Sequence, residues 1–169
     1  FDVLVCGDGE LAIFDALTTD EQIIDADIKK SEYYLKNSDL EEMPFPARHL
    51  IDMPTYKYGI DEMNATSLIA QLGCPFHCAF CSGRNSPFLR NIRTRTTENI
   101  SREVEELFLD YGYKGFMFYD DELNVSKTMI DLMVELRRLQ DIHNTEFRLR
   151  GFIKSELFNE AQAEAMYDA

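Results

Sequence analysis

From Thr66 onward the chain alternates short, nearly all-apolar runs with amphipathic ones, and that alternation leaves few folds open. "TSLIAQL", "KGFMFYDDE" and "EFRLRGFI" have the length and apolarity of buried strands. Between them, "TTENISREVEELFLDYG" carries Ile100, Val104, Leu107, Phe108 and Tyr111 at helical spacing, opens on threonine and stops at Gly112. "SKTMIDLMVELRRLQ" repeats the pattern, with Ser126 as the expected cap and Met129, Ile130, Met133 and Leu136 directed inward. "NEAQAEAMYDA" starts a third helix. Apolar strands with amphipathic crossovers predict an α/β fold built on a parallel sheet, three βα units long. That is half of a barrel or half of an open sheet. In either architecture functional groups gather at the C-terminal ends of the strands. The loop after the first strand and the acids Asp120, Asp121 and Glu122 after the second are therefore expected to meet.

The bulk properties narrow the function classes. At 45% hydrophobic and 12% aromatic the chain can build a core. No apolar run has the length of a membrane span, and no stretch resembles a signal peptide. It opens at Phe1 rather than at a methionine and is still helical in pattern at Ala169, so a piece of a longer protein is expected. A formal net charge of −14 opposes a polyphosphate partner, which argues against nucleic acid. Four cysteines, three close together and one remote, do not form a disulfide framework. Their spacing is that of metal chemistry in a reducing compartment, which makes the cytoplasm the expected location.

Ahead of the alternating region, "FDVLVCGDGE" reads as a short strand broken by two glycines. Gly7, Gly9 and Ala12 match the dinucleotide-binding spacing G-x-G-x-x-A, but no complete strand–helix–strand unit is expected to follow. A tight strand-to-helix turn is the preferred reading. The helix after it would carry Leu11, Phe14 and Leu17 on one side. The polar stretch that follows, punctuated by Pro44, Pro46 and Pro54, reads as a linker laid over a domain surface. The expected organisation is the end of an α/β domain at 1–25, a linker at 26–64 and the βα units at 65–169.

Cys74, Cys78 and Cys81, within "GCPFHCAFCSG", are spaced C-x3-C-x2-C. Three readings compete. On a continuous helix they would form a buried stripe, although Gly73, Pro75 and "SGRNSP" oppose a long helix. A structural zinc would need His77 or Cys6 as a fourth ligand, and no second ligand pair exists in the chain. An iron–sulfur cluster takes soft thiolates, and three ligands on a four-iron cube leave one iron open to a substrate or cofactor.

With an aromatic residue, Phe80, just before the last cysteine and Gly73 just before the first, this motif resembles that of the radical S-adenosylmethionine (SAM) enzymes. The resemblance implies that Cys74, Cys78 and Cys81 hold a 4Fe–4S cluster whose open iron takes SAM, and that Phe80 lies near the adenine. It extends to Arg93 or Arg95, Glu103, Glu105 and "GFMFYDDELN", which resemble the subgroup carrying a cobalamin-binding domain. There Tyr119, Asp120, Asp121 and Glu122 would receive SAM's amino group, Asp120 foremost. "DVLVCGDGE" resembles the last strand and turn of the cobalamin domain, and "MPFPARHLIDM" its connector. The cobalamin motif D-x-H-x-x-G itself is not present. The implied fold is the first half of a partial (βα)6 barrel similar to a TIM barrel, preceded by the end of a Rossmann-like domain. The implied activity is reductive cleavage of SAM to a 5′-deoxyadenosyl radical, followed by methyl transfer or related chemistry on a small-molecule, lipid or tetrapyrrole-like substrate. A flavodoxin or ferredoxin would donate the electron. Two rivals remain, a tRNA methylthiotransferase and a non-catalytic zinc-stabilised binding module.

Arg84, Arg90, Arg93 and Arg95 form the one basic patch, either paired with carboxylates or seating an anion. Arg148, Arg150 and Lys154 are expected to border the third strand's C-terminal end, within reach of SAM's carboxylate or simply facing solvent. His77 is read as stabilising the cysteine loop, Cys6 as a small buried residue, and His49 and His143 carry no argument.

Overall fold

The computed structural model describes residues 1–169, the side chain of Arg84 excepted. At the N-terminus, β1 (Leu4–Cys6) and β2 (Ile23–Asp25) pair in parallel, Leu4 opposite Ile23, across α1 (Gly9–Ala16). A complete strand–helix–strand unit is thus present where the sequence suggested none. Its strands are three residues long, too short to display a period. Gly7 makes the tight turn expected of it: its φ is +93°, and a Cβ there would run into the main chain of Asp27. Ala12 is fully buried, whereas Leu11, Phe14 and Leu17 are exposed.

The stretch read as a surface linker is more structured than expected. It holds α2 (Asn37–Glu42), tight 3-10 turns at Arg48–Leu50 and Met53–Thr55, and β3 (Gly59–Ile60). Leu35, Arg48, Met53 and Ile60 in it are buried. Met53 joins the core and Pro44 and Pro46 line a cavity beside β4, which composition alone does not distinguish from a solvated linker.

The main sheet follows. β4 (Met63–Leu68) pairs antiparallel with β3 through a two-residue turn in which Asp61 and Glu62 both take positive φ, the conformation that suits a tight hairpin. A second small antiparallel pair joins β5 (Gln71–Leu72) to β6 (Arg93–Thr94). Then come α3 (Thr97–Tyr111), β7 (Gly115–Phe118), α4 (Met129–His143), β8 (Arg148–Gly151) and α5 (Glu160–Asp168). The sheet order is β3-β4-β7-β8, with β4, β7 and β8 parallel and Ala65, Gly115 and Arg148 in register. This is the α/β arrangement that the alternation predicts.

One helix-facing core holds the βα units together. Leu68, Phe116 and Phe118 meet Val104 and Leu107 of α3 and Met129, Met133 and Leu136 of α4. Phe116 and Phe147 stack edge to face at 5.0 Å. Ile60, Ala65 and Met117 form a smaller cluster with Tyr58. Thr96 caps α3 by accepting the Asn99 N–H, and Asn159 caps α5 by accepting that of Gln162. The expected cap of α4 moves from Ser126 to Thr128; Ser126 Oγ accepts the Thr128 N–H instead. No described helix is long and apolar enough to cross a membrane.

"TSLIAQL" is not one strand. β4 stops at Leu68, the chain bends at Ile69 and Ala70, and Gln71–Leu72 leaves in a new direction. The partner lies just beyond the neighbouring strand: Asp120 Oδ1 accepts the N–H groups of Ala70 (2.8 Å) and Gln71 (3.0 Å). A carboxylate thereby takes the place of a strand partner.

Candidate cofactor site at the strand ends

β5 and β6 close the base of a loop running from Gly73 to Ile92, and three of the four cysteines lie in it. Gly73 has φ +92°, and a Cβ there would collide with the carbonyl of Asn91 and press on that of Leu89. The two arms of the loop therefore touch through backbone, and the Cys74 N–H donates to Leu89 O at 2.6 Å. Cys81 N–H donates to Cys78 O at 3.0 Å. All four cysteines are free thiols: Cys6, Cys74 and Cys81 are half-buried and Cys78 is exposed. Phe80 is fully exposed. Among the described residues no three His, Cys, Asp or Glu side chains converge into a ready metal site. The loop supplies three thiols as soft donors and no carboxylate, a donor set that fits a three-thiolate cluster.

The acidic end of β7 reaches the strand at the base of this loop rather than the loop itself, through Asp120 on Ala70 and Gln71 and through Gln71 Nε2, which donates to Glu122 O at 2.5 Å. Asp120 is 1% exposed, and burial pushes its carboxyl up to about 6 even though two backbone N–H groups favour the charged form. Its Oδ2 is buried without a partner among the described residues. Tyr119 and Asp121 are exposed and Glu122 is half-buried. The end of β8 joins the same corner. Asn124 Nδ2 donates to Lys154 O at 3.0 Å, and the Lys154 N–H returns to Asn124 Oδ1 at 2.8 Å. Lys154 Nζ stands 4.5 Å from the centre of the Phe76 ring in the cysteine loop and 3.1 Å from Glu156, whose carboxylate raises the pKa of the ammonium.

The expected basic patch is dispersed. Arg93 is buried, ion-paired with Asp8, with the rings of Tyr34 and Phe88 at 4.9 and 5.8 Å, and so ties the N-terminal unit to the loop. Arg95 pairs with Glu103 at 2.5 Å and donates to Asn99 Oδ1 and Ile69 O. The guanidinium nitrogens of Arg90 are buried without hydrogen-bond partners among the described residues, and the side chain of Arg84 lies outside the described residues. Arg148 is not at the strand's C-terminal end. It opens β8 opposite Gly115 and pairs with Glu146 at 3.2 Å. Arg150 is exposed, as is His49. His143 Nε2 lies 2.6 Å from Glu105.

Sequence reasoning missed Arg48, Gln71 and Asn124. It also missed the burial of Glu103, although a signal was available: Glu103 shares the stripe of Ile100, Val104 and Leu107 and is 1% exposed. Arg48, from the turn before β3, grips the same carboxylate at 2.5 Å and donates to Ser67 O on the edge of β4. Beside this triad of Arg48, Glu103 and Arg95 lies a cavity of about 780 Å³. It runs along β4 from Tyr113 to Tyr119 and reaches Leu72, next to the cysteine loop.

A family model described as the Radical SAM superfamily matches residues 68–169, from the end of β4 through α5. The chain belongs to the radical SAM superfamily. An uncharacterized methyltransferase of Pyrococcus horikoshii is 28% identical to this radical SAM chain over 128 residues, covering 75% of the chain and 26% of the relative. Among solved structures it is similar to the radical SAM methyltransferase TsrM from Kitasatospora setae, solved with cobalamin and a 4Fe–4S cluster bound. The TM-score is 0.54 at 21% identity, over 63% of this chain and 21% of that one. TsrM with its tryptophan substrate and the SAM analogue aza-SAM gives the same TM-score and identity over 62% and 20%. At that identity the likeness is one of fold, an α/β half-barrel with a curled sheet. The radical SAM chain spans about a quarter or less of the length of these relatives.

Proposed function

We propose that the full-length protein is a radical SAM methyltransferase in which Cys74, Cys78 and Cys81 hold a 4Fe–4S cluster. One observation carries the reading: the family match covers a loop of three free thiols, closed at its base by a strand pair whose Gln71 N–H is held by the buried acid after the next strand. Bound there, the cluster would supply the electron that splits SAM's sulfonium C–S bond to methionine and a 5′-deoxyadenosyl radical.

The chain's own residues would bind and orient SAM. Among the described residues Asp120 keeps one carboxylate oxygen without a partner, the acceptor that SAM's amino group requires, with Tyr119, Asp121 and Glu122 around it. The exposed ring of Phe80 is free to lie against the adenine. Lys154, beside the loop, suits a carboxylate.

The finer assignments belong to the same reading: completion of a (βα)6 barrel by the rest of the protein, cobalamin held by a Rossmann-like domain ending in residues 1–25, and a linker over 26–64. The parallel β1–α1–β2 unit supports the domain assignment. A small, lipid or tetrapyrrole-like substrate, a flavodoxin or ferredoxin as donor, and a cytoplasmic location complete it. The net charge of −14 weighs against a tRNA substrate, and the missing fourth ligand weighs against structural zinc.

The test is anaerobic reconstitution of the full-length protein with iron and sulfide, followed by electron paramagnetic resonance of the reduced sample with and without SAM. About four irons per chain and a signal altered by SAM are expected. Bound zinc with no cluster overturns the reading.

A further inference from the structure

The cavity beside β4 shares Ala70, Gln71 and Tyr119 with the strand-end corner but has features that the cofactor site does not use. Its hydrocarbon wall comes from Met43, Phe45, Ile51 and Met53, outside the loop and the strand-end acids. Its volume falls within the roughly 300–1,000 Å³ of small-molecule sites, which are mostly apolar with a few fixed polar groups. The fixed group here is Arg48. Only 7% exposed, it spends Nη2 on Glu103 and on Ser67 O, while Nη1 is buried with no hydrogen-bond partner among the described residues. A buried guanidinium N–H left unpaired carries a desolvation cost that an acceptor in the cavity would remove.

Charge decides what kind of acceptor. Arg48 and Arg95 bring two positive charges to the wall and share the single Glu103 carboxylate, and Arg95 acts on Asp120 only as the weakest of that acid's influences, so the wall keeps a positive excess. Glu10, the other acid on the wall, is exposed. A monoanion neutralises the remainder. A dianionic phosphate would add a second charge beside the Glu103 carboxylate, in an environment that amplifies repulsion.

We propose that this cavity binds an apolar molecule ended by a single carboxylate, its oxygens on Arg48 Nη1 and its hydrocarbon body along Met43, Phe45, Ile51 and Met53. The site lies along the edge of β4, where the Arg48 guanidinium rather than a further strand occupies Ser67 O. It does not rest on the cluster assignment and is tested without a cluster.

The experiment is methyl-labelled methionine NMR on the full-length protein, titrated with decanoate and, separately, with decanol. The methyl signals are assigned through Met→Leu variants: Met43 reports the cavity, Met53 the seam where the cavity meets the helix-facing core, and Met129 and Met133 the core away from it. Saturable shifts of Met43 and Met53 with decanoate, and binding of decanol roughly tenfold weaker or worse, are expected for a charge-assisted hydrogen bond. Arg48→Gln should abolish the preference. Equal affinity for the alcohol, shifts confined to the core methionines, or no shift with decanoate would each overturn the proposal. The acid-to-alcohol comparison in the unaltered protein decides even where Arg48→Gln does not fold.

Discussion

Arg48 Nη2 and Glu103 Oε1 lie 2.5 Å apart inside the protein, 55 positions apart in the chain. With Arg95 on the second oxygen, one carboxylate on α3 holds both the segment before β3 and the entry to its own helix.

Glu103→Gln should therefore destabilise the protein by about 3–5 kcal/mol, the range for uncovering a buried charge. The double variant Arg48→Met with Glu103→Leu should cost less than the sum of its single changes, because it removes both members of the pair. Urea unfolding of the four proteins checks this, and strict additivity would contradict it.

Asp120 predicts an unusual pH dependence. Burial pushes its carboxyl up to about 6 from an ordinary 3.8, so the folded protein holds that proton more tightly than the unfolded chain does. The stabilisation is fully present below about pH 4 and is lost as pH rises through 6, with a magnitude on the order of 2–3 kcal/mol. Asp120→Asn keeps an oxygen for the Ala70 and Gln71 N–H groups and removes the titration. The stability difference between the two proteins should change across pH 4 to 7 in the variant's favour, as read by urea unfolding at each pH.

At the loop base, Gly73→Ala combines a strained positive φ with a Cβ driven into the Asn91 carbonyl, a collision with backbone rather than with a movable side chain. A loss above about 1 kcal/mol and poor iron uptake on reconstitution are expected. Wild-type melting and full iron content would show that the two arms need not touch.

The cysteines should divide three to one. Cys74→Ser, Cys78→Ser and Cys81→Ser should each lose most reconstituted iron and the visible absorption of the cluster. Cys6→Ser, on β1 in the N-terminal unit, should retain both. Iron lost equally from all four would implicate Cys6 as a ligand.

What the sequence disclosed followed the length of the elements. α3, α4 and β7 were legible because Val104, Leu107, Met133 and Leu136 recur on one helical face and Phe116 to Phe118 form an unbroken apolar run. β1, β2, β5 and β6 have two or three residues each, too few to show a period, and their pairing comes from contacts distant in sequence. Within the site, topology alone put the acidic strand end near the strand that leads into the cysteine loop. The means of that meeting was not readable: Asp120 appeared as a free acceptor and is in fact half spent on the main chain of Ala70 and Gln71. Arg93 looked like part of a basic surface because nothing nearby in sequence marks Asp8, Tyr34 and Phe88 as its neighbours. Arg48 sat among prolines, in a stretch whose composition suggested exposure.

The small β5–β6 pair bears on the entropy of assembly. Joining the ends of a flexible segment costs more as the segment lengthens, and a metal that must gather its ligands from an open chain meets that cost at the moment of binding. Here Gln71 and Leu72 meet Thr94 and Arg93 in antiparallel register, and the Cys74 N–H reaches across to Leu89, so the ring around the three thiols is closed by protein alone. Ring closure belongs to folding. What is left for a bound group to organise is the short interior run from Cys74 to Cys81.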